Sequence, residues 1–300
     1  MISIVRHEDL IEVFDYGNGV VMKELAARLA IAVVGIPVLL FAIYSGGWYF
    51  FALIVLINIL GQWEMIRLLK LKEAHAQKIS AAVLSLLILF MVYLNFNSLL
   101  LAAAILMLVL MFIMEMFRNR LSANLNVAAA LLSVVYPGFF LVSLLYFRIH
   151  MHEYVPGLNA SNMGVFTIFI FISIWVCDTA AYFIGSLLGR HALFPRVSPK
   201  KSVEGAIGGV AGAMLVFIAA RLFEVLPIEW SVIVVSGLIT GILGQIGDLV
   251  ESWFKRDVNI KDSSHILPGH GGILDRFDSL ILTAPVFVAL FLIVGYLHAV

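Results

Sequence analysis

A chain of 300 residues that is 62% hydrophobic and only 13% charged, with a mean hydropathy of +1.05, carries more apolar surface than a soluble domain can cover with polar groups. Lys+Arg and Asp+Glu number 19 each, so no bulk field points toward nucleic acid. The one cysteine, Cys177, excludes an intrachain disulfide and, inside an apolar run, reads as packing.

Residues 1–21 include Glu8, Asp9, Glu12 and Asp15 and lack a basic region followed by an apolar core, so they do not read as a signal peptide. They are expected to form an accessory amphipathic or disordered segment, with Met22 as an alternative start. Apolar runs follow, each near the length that crosses a hydrocarbon core about 30 Å thick. They are placed at Ala27–Tyr44, Trp48–Gly61, Ile79–Tyr93, Ser98–Met116, Val127–Phe147, Val165–Leu187, Ala206–Phe223, Trp230–Phe254 and Leu280–Leu297. Pro137 predicts a kink in the fifth. The expected fold is an all-α polytopic integral membrane protein with about nine transmembrane helices.

Basic residues in short loops set orientation. One side collects Arg6, Lys23 and Arg28, then Arg67, Lys70, Lys72 and Lys78, then Arg118 and Arg120. It continues with Arg190, Arg196, Lys200 and Lys201, and ends with Lys255, Arg256, Lys261 and Arg276. Only Arg148 and Arg221 fall on the other side. The N-terminus is therefore expected to be cytoplasmic. Domain organisation is read as an N-terminal cytoplasmic extension, 1–26, and one transmembrane domain, 27–300. Within it, 27–147 form a scaffold half with almost no charge inside its spans, and 165–300 a catalytic half. His150, His152 and Glu153, and the sequon Asn159-Ala160-Ser161, read as parts of a solvated loop on the opposite side.

The chemistry concentrates in the second half. In G-Q-I-G-D-L-V-E-S-W-F-K-R, helical spacing puts Asp248, Glu251, Ser252 and Lys255 on one face. An ionised Asp within a span costs roughly 2.5–3.5 kcal/mol on insertion scales, so it needs a partner helix, a cavity or a metal. Asp275 and Asp278 follow in D-R-F-D, after Pro268-Gly269-His270-Gly271-Gly272. Hard oxygen ligands on adjacent helices suit Mg²⁺, which takes one or two carboxylates together with substrate phosphates. Glycines permit close approach of a phosphate to backbone amides. A second polar island runs from Asp178 and Tyr182 through Ser198-Pro199-Lys200-Lys201-Ser202-Val203-Glu204-Gly205. Its adjacent lysines suit either anionic lipid head groups or a nucleotide triphosphate. Gly208-x-x-x-Gly212 reads as helix packing. There is no G-x-x-x-x-G-K-[ST] and no H-E-x-x-H.

These stretches resemble the phosphatidate cytidylyltransferase (CDP-diacylglycerol synthase) family. The resemblance rests on Ser252-x-Phe254-Lys255-Arg256-x4-Lys261-Asp262, His270-Gly271-Gly272-x2-Asp275-Arg276-x-Asp278, Asp178-Thr179-Ala180-Ala181-Tyr182, Ser198-Pro199-Lys200-Lys201-Ser202-x-Glu204-Gly205 and Gly247-Asp248-x2-Glu251-Ser252. It covers Asp178 to the C-terminus and over the first five spans is only hydropathy. Ser202 stands where threonine is more usual, and residues 1–21 have no counterpart. The resemblance implies that CTP and phosphatidic acid give CDP-diacylglycerol and diphosphate, with Mg²⁺ as cofactor and the identity of a second cation left open. The implied metal ligands are Asp248, Asp275 and Glu251. Asp178, Lys255, Arg256, Lys261, Asp262, Arg276 and Asp278 are the implied catalytic set. Ser198, Lys200, Lys201, Ser202, Glu204, Ser252, His270, Gly271 and Gly272 are the implied substrate contacts. A homodimer follows from the same resemblance; the basic-residue count puts the site on the cytoplasmic face, a bacterial inner membrane is the expected location, and the zero net charge gives no nucleic-acid partner. A CTP-dependent polyprenol or phytol kinase and an ion-coupled transporter using Asp178 and Asp248 are the competing readings.

Overall fold

The structure, a computed structural model, describes residues 32–155, 158–264, 266 and 271–299. The expected extension 1–26, residues 27–31 of the first expected span, and Pro268, Gly269 and His270 lie outside the described residues. The elements in order are α1 (Ala32–Ser45), α2 (Gly47–Lys70), α3 (Lys78–Tyr93), α4 (Ser98–Met116) and α5 (Ala123–Ser133). A π-helical segment (Val134–Phe139) leads into α6 (Phe140–His150), followed by α7 (Ala160–Leu188). A hairpin of β1 (Ala192–Phe194) and β2 (Ser198–Ser202) precedes α8 (Val203–Leu222), α9 (Trp230–Asp257) and α10 (Leu274–Ala299).

Among the described residues, seven helices are long and apolar enough to cross a bilayer, with Ala123–Glu153 counted as one. α1 and α3 are apolar but shorter. The chain is thus a helical integral membrane protein; the expected count of nine spans is not reached by the described helices of full spanning length. The second expected span, ending at Gly61, continues to Lys70. Ile57, Gly61, Glu64 and Leu68 recur at helical spacing and are all buried, so the buried face does not stop where the hydropathy falls. The β1–β2 hairpin departs from the all-α expectation: Ala192 pairs with Ser202 and Phe194 with Ser198, antiparallel.

In a membrane, lipid tails are as apolar as leucine, so helices associate through close packing and polar contacts. α8 lies between α7 and α9, and α9 packs along α10. A Cβ added to Gly205 would fall 2.7 Å from the Ala181 carbonyl oxygen, and one on Gly241 would fall 2.7 Å from the Val210 Cα. Gly208 and Gly212 pack against Ile184 and Ala180, as their spacing suggests, and Cys177 is buried beside Gly241. Toward the other end of the bundle, Phe147 of α6, Phe166 of α7, Phe217 of α8 and Phe287 and Phe291 of α10 are fully buried. Their ring centroids lie 4.9–5.8 Å apart from Phe147 to Phe166 and from both to Phe287 and Phe291. Aromatic pairs of this kind contribute about 0.5–1.5 kcal/mol each beyond burial.

Pro137 sits inside the π-helical segment rather than breaking the helix. Proline has no amide hydrogen and crowds the preceding turn, and the wider π turn relieves both problems.

Arg148, one of the two basic residues on the sparse side, is buried. Its guanidinium donates to the Ile43 carbonyl at 2.7 Å, the Tyr44 carbonyl at 2.8 Å and the Ala160 carbonyl at 3.0 Å. It closes the C-terminus of α1, where carbonyls lack helical partners, and ties it to the start of α7. The loop expected to be solvated here is partly structural too. His150 is buried against the Val92 carbonyl, and Asn159 caps α7 through a reciprocal bond with Asn162. Arg148→Met is expected to lower stability by about 2–3 kcal/mol, because three carbonyls lose their donor in a water-poor site. Thermal unfolding of the purified chain measures this; an unchanged transition would show that the carbonyls find other partners.

Candidate active site

Most of the described residues that the sequence singles out gather at the end of the bundle where α2 and α7 finish and α8 and α10 begin. Asp178, on the last third of α7, and Asp248 of α9 line one cavity of about 450 Å³ with Lys200, Lys201 and Ser202 of the hairpin. Lys201 forms an ion pair with Asp248, whose other oxygen accepts from the Ser252 hydroxyl at 3.2 Å. This is the i, i+4 relation expected of one helix face. Asp178, Asp248 and Asp278, from α7, α9 and α10, lie within electrostatic reach of one another, and Arg276 lies within reach of Asp178.

The hairpin is held in place by the same polar residues that mark it in the sequence. Ser202 caps α8, accepting from the Gly205 amide at 3.1 Å. Glu204, in the first turn of α8, accepts from the Arg190 amide at 3.0 Å and from His191 Nδ1 at 2.6 Å. Arg256 donates to the Val197 carbonyl at 3.4 Å and the Ile260 carbonyl at 2.7 Å, fastening the hairpin turn to the end of α9. Ser198 opens β2 and pairs with Phe194.

Two turns beyond Asp248, Lys255 bridges two helices. Its ammonium pairs with Glu251 on α9 and lies 2.6 Å from Asp275 Oδ1 on α10. The second oxygen of Asp275 accepts from the Gly272 amide at 2.8 Å and from the amide and hydroxyl of Ser263 at 3.2 and 3.0 Å. Gly271 takes a φ of +80°, a conformation that favours glycine.

Glu64, on α2 in the expected scaffold half, completes the arrangement. It is fully buried, and its carboxylate accepts from the Ile273 amide at 2.8 Å and the Leu274 amide at 2.7 Å. It also accepts from the hydroxyls of Ser263 and Ser264. The first amides of α10 have no helical acceptor, and a carboxylate there meets both the missing bonds and the positive end of the helix dipole. A Cβ on Gly272 would fall 2.6 Å from this carboxylate. The close approach expected of that glycine is therefore made by a group of the protein itself. Tyr136, on the π-helical segment, adds a buried hydroxyl within electrostatic reach of Asp248, Glu251 and Asp278.

The structure thus brings Asp178, Lys200, Lys201, Ser202 and Asp248 to one cavity. Glu251, Ser252 and Lys255 follow Asp248 along α9, and Asp275 meets Lys255 from α10. Lys261 and Asp262 are exposed on the following loop, and His270 lies outside the described residues. The three carboxylates expected to share a metal are divided between two lysines: Asp248 faces Lys201, and Glu251 and Asp275 face Lys255. Among the described residues no three His, Cys, Asp or Glu side chains form a ligand group. The donor chemistry still fits a hard divalent cation at the cavity, because such an ion takes one or two carboxylates with substrate phosphates and Asp178 and Asp248 both line it.

Sequence reasoning misses Glu64, Ser263 and Ser264. The signal was a glutamate three residues after Gly61 on a face that stays buried to Leu68. Gln245, which lines the cavity and donates to the Ala206 and Gly241 carbonyls, is missed as well.

The described residues thus form a helical membrane bundle with lysine–carboxylate contacts at one end. The cytidylyltransferase family matches residues 26–294, and the chain belongs to it. Over 168 residues it is 40% identical to the phosphatidate cytidylyltransferase of Staphylococcus epidermidis, a stretch covering 56% of this chain and 60% of that relative. The corresponding Bacillus subtilis protein is 41% identical over 149 residues, 49% of this chain and 55% of the relative. The Staphylococcus aureus protein is 39% identical over 168 residues, again 56% of this chain and 60% of the relative. The chain spans about 60% of the length of the curated relatives it matches.

Glu64→Gln replaces one acceptor oxygen by an amide donor that faces groups which are themselves donors. It is expected to destabilise the chain by about 2–3 kcal/mol and to speed hydrogen exchange at the Ile273 and Leu274 amides. Exchange read by mass spectrometry checks this, and unaltered protection of those amides would show that Glu64 is not their acceptor.

Proposed function

We propose that the chain is a phosphatidate cytidylyltransferase: it joins CTP and phosphatidic acid to give CDP-diacylglycerol and diphosphate. The observation that carries this reading is the cavity where Lys200 and Lys201 meet Asp178 and Asp248, in a chain of the cytidylyltransferase family. At about 450 Å³, the cavity is within the usual range for small-molecule sites.

Both reactants are anions, so the first task is to overcome their repulsion. Lys200 and Lys201 are placed to receive the triphosphate, and Arg276 adds positive charge from α10. A phosphate oxygen of the lipid attacks the α-phosphorus of CTP. A new P–O bond forms, the bond from the α-phosphorus to the oxygen bridging to the β-phosphate breaks, and diphosphate leaves with the electron pair. No side chain need act as general base, since a phosphate monoester is already ionised near pH 7. Mg²⁺, with a second cation as an option, would be held by Asp248 with Asp178 and would neutralise charge developing on the phosphate oxygens. Asp275 and Glu251 fix the ammonium of Lys255 beside that point, and Asp278 adds a carboxylate to the same neighbourhood. Ser202, Glu204 and Arg256 keep the hairpin, and with it the two lysines, in position.

The supporting topology has all nine apolar stretches crossing the membrane, the N-terminus and the site in the cytoplasm, and a bacterial inner membrane as the host. CTP then has direct access, while the diacyl chains stay in the bilayer. The half from 165 onward holds the reactive groups, the half from 27 to 147 supports them, and two copies assemble as a homodimer.

The purified chain, supplied with CTP, phosphatidic acid and Mg²⁺ in mixed micelles, is expected to release diphosphate and form a nucleotidyl lipid. Asp275→Asn is expected to reduce kcat by about 10²–10³-fold, the scale of removing one preorganised electrostatic contact. Full activity in that variant would remove Asp275 from the machinery. A phosphorylated alcohol as product would replace the reading with a lipid kinase, and ion flux without CTP turnover would replace it with a transporter.

A further inference from the structure

A second and larger cavity, of about 1060 Å³, lies in the first half of the chain, between the α2–α3 connection and α4. Its polar end carries Lys70, Lys78 and Arg120, all exposed. Among the described residues none of the three has an ion-pair partner. Glu115, on α4 beside the cavity, is buried and already committed: it accepts from Arg118 at 2.6 Å and from Gln77 and Asn126 at 2.7 Å each. Arg118 in turn donates to the His75 carbonyl at 2.9 Å. This knot forms a rigid, neutral back wall and leaves three uncompensated cations at the rim.

The apolar side of the cavity is a stripe on α4: Met107, Leu110, Met114 and Phe117, at the three- and four-residue spacings of one helix face. From Met107 to Phe117 the helix rises about 15 Å, which is half of a hydrocarbon core about 30 Å thick. The stripe therefore runs from mid-bilayer to the interface and ends beside the cations. Leu110, Met114 and Phe117 are exposed on it.

An occupant must be anionic at one end, apolar over the depth of one leaflet, and present in the membrane. We propose that this cleft binds an anionic glycerophospholipid of the leaflet on the basic side, with its phosphate at Lys70, Lys78 and Arg120 and an acyl chain along the α4 stripe. The site is separate from the catalytic cavity, which is built from α7, the hairpin, α8 and α9, and it does not rest on the catalytic proposal.

The test is photolabelling of the full chain in lipid nanodiscs. Two diacyl probes carry the same photoreactive acyl chain, one with a phosphatidylglycerol head and one with a phosphatidylcholine head. Labelled residues are mapped by mass spectrometry. The phosphatidylglycerol probe is expected to label Met107–Phe117 roughly tenfold more than the phosphatidylcholine probe, because choline's own cation offsets the phosphate that the basic residues would meet, with the preference falling as salt is raised. The triple variant Lys70→Gln, Lys78→Gln, Arg120→Gln changes only exposed side chains and is expected to abolish the preference. Leu110→Trp, which fills the groove, is expected to reduce labelling by both probes. Equal labelling by the two heads in the parent chain, or a preference that survives the triple variant, would overturn the proposal. So would equal competition by excess soluble glycerol phosphate, since the site would then be one for free phosphates.

Discussion

A carboxylate buried in a membrane bundle has no water to turn to, so its position dictates where its donors must be. Glu64 imposes this constraint on the functional end of the molecule. Its two oxygens collect two serine hydroxyls and the two leading amides of α10. That fixes the connection from α9 to α10, which in turn fixes Asp275, because Asp275 accepts from Ser263 and Gly272 in the same connection. Asp275 then receives Lys255, and Lys255 locks α10 to α9. A residue on the second helix thus sets the geometry of the last two. The cost of leaving any of these groups unpaired in a low dielectric is what makes the chain of contacts rigid.

The acids lining the catalytic end follow the same economy of charge. Asp248 faces Lys201, and Glu251 and Asp275 face Lys255. An isolated charge at this depth would be expensive to bury, and each lysine offsets part of the cost of the carboxylates it faces. The pairs differ in solvent access: the side chains of Lys201 and Asp248 are 27% and 33% exposed, those of Lys255 and Asp275 10% each. The more accessible pair lines the cavity between α7, the hairpin and α9, and the secluded contacts hold α9 to α10. Opening the first pair exchanges one set of opposite charges for another, which keeps the burial cost low during ligand capture.

Much of this was legible in the order of residues. The apolar runs locate the helices, and Pro137 marks an irregular turn. The two polar islands are contiguous in sequence, so Lys200, Lys201, Asp248 and Asp275 stand out without a structure. What escapes is long-range pairing. Glu64 and Leu274 are 210 positions apart, and nothing local distinguishes an acid that caps a distant helix from one in a solvated loop. Hydropathy falls at Gly61, but the helix continues because its buried face continues. The hairpin escapes for a different reason: Ser198–Ser202 has little β propensity and is held by Glu204 and Arg256 from outside the strands. The partition of carboxylates between lysines also escapes, since helical spacing shows which residues share a face but not which partner each one meets.

The π-helical segment at Pro137 has a consequence for how the chain tolerates change. A π turn holds one residue more than the regular helix would, and each residue advances the direction of side chains by about 100° around the axis. Everything downstream is therefore rotated relative to everything upstream. Above the insertion, α5 presents Asn126 and Ala130 to the helices of the first half; below it, α6 presents Phe147 and Arg148 to α7, α10 and the end of α1. The same turn sets Tyr136 near the acids of α9 and α10. The segment works as a phase adjuster between two halves that read different faces of one continuous rod. A single-residue deletion within Val134–Phe139 would shorten the rod by about 1.5 Å, a small change, but it would turn the aromatic core and the arginine clamp away from their partners together.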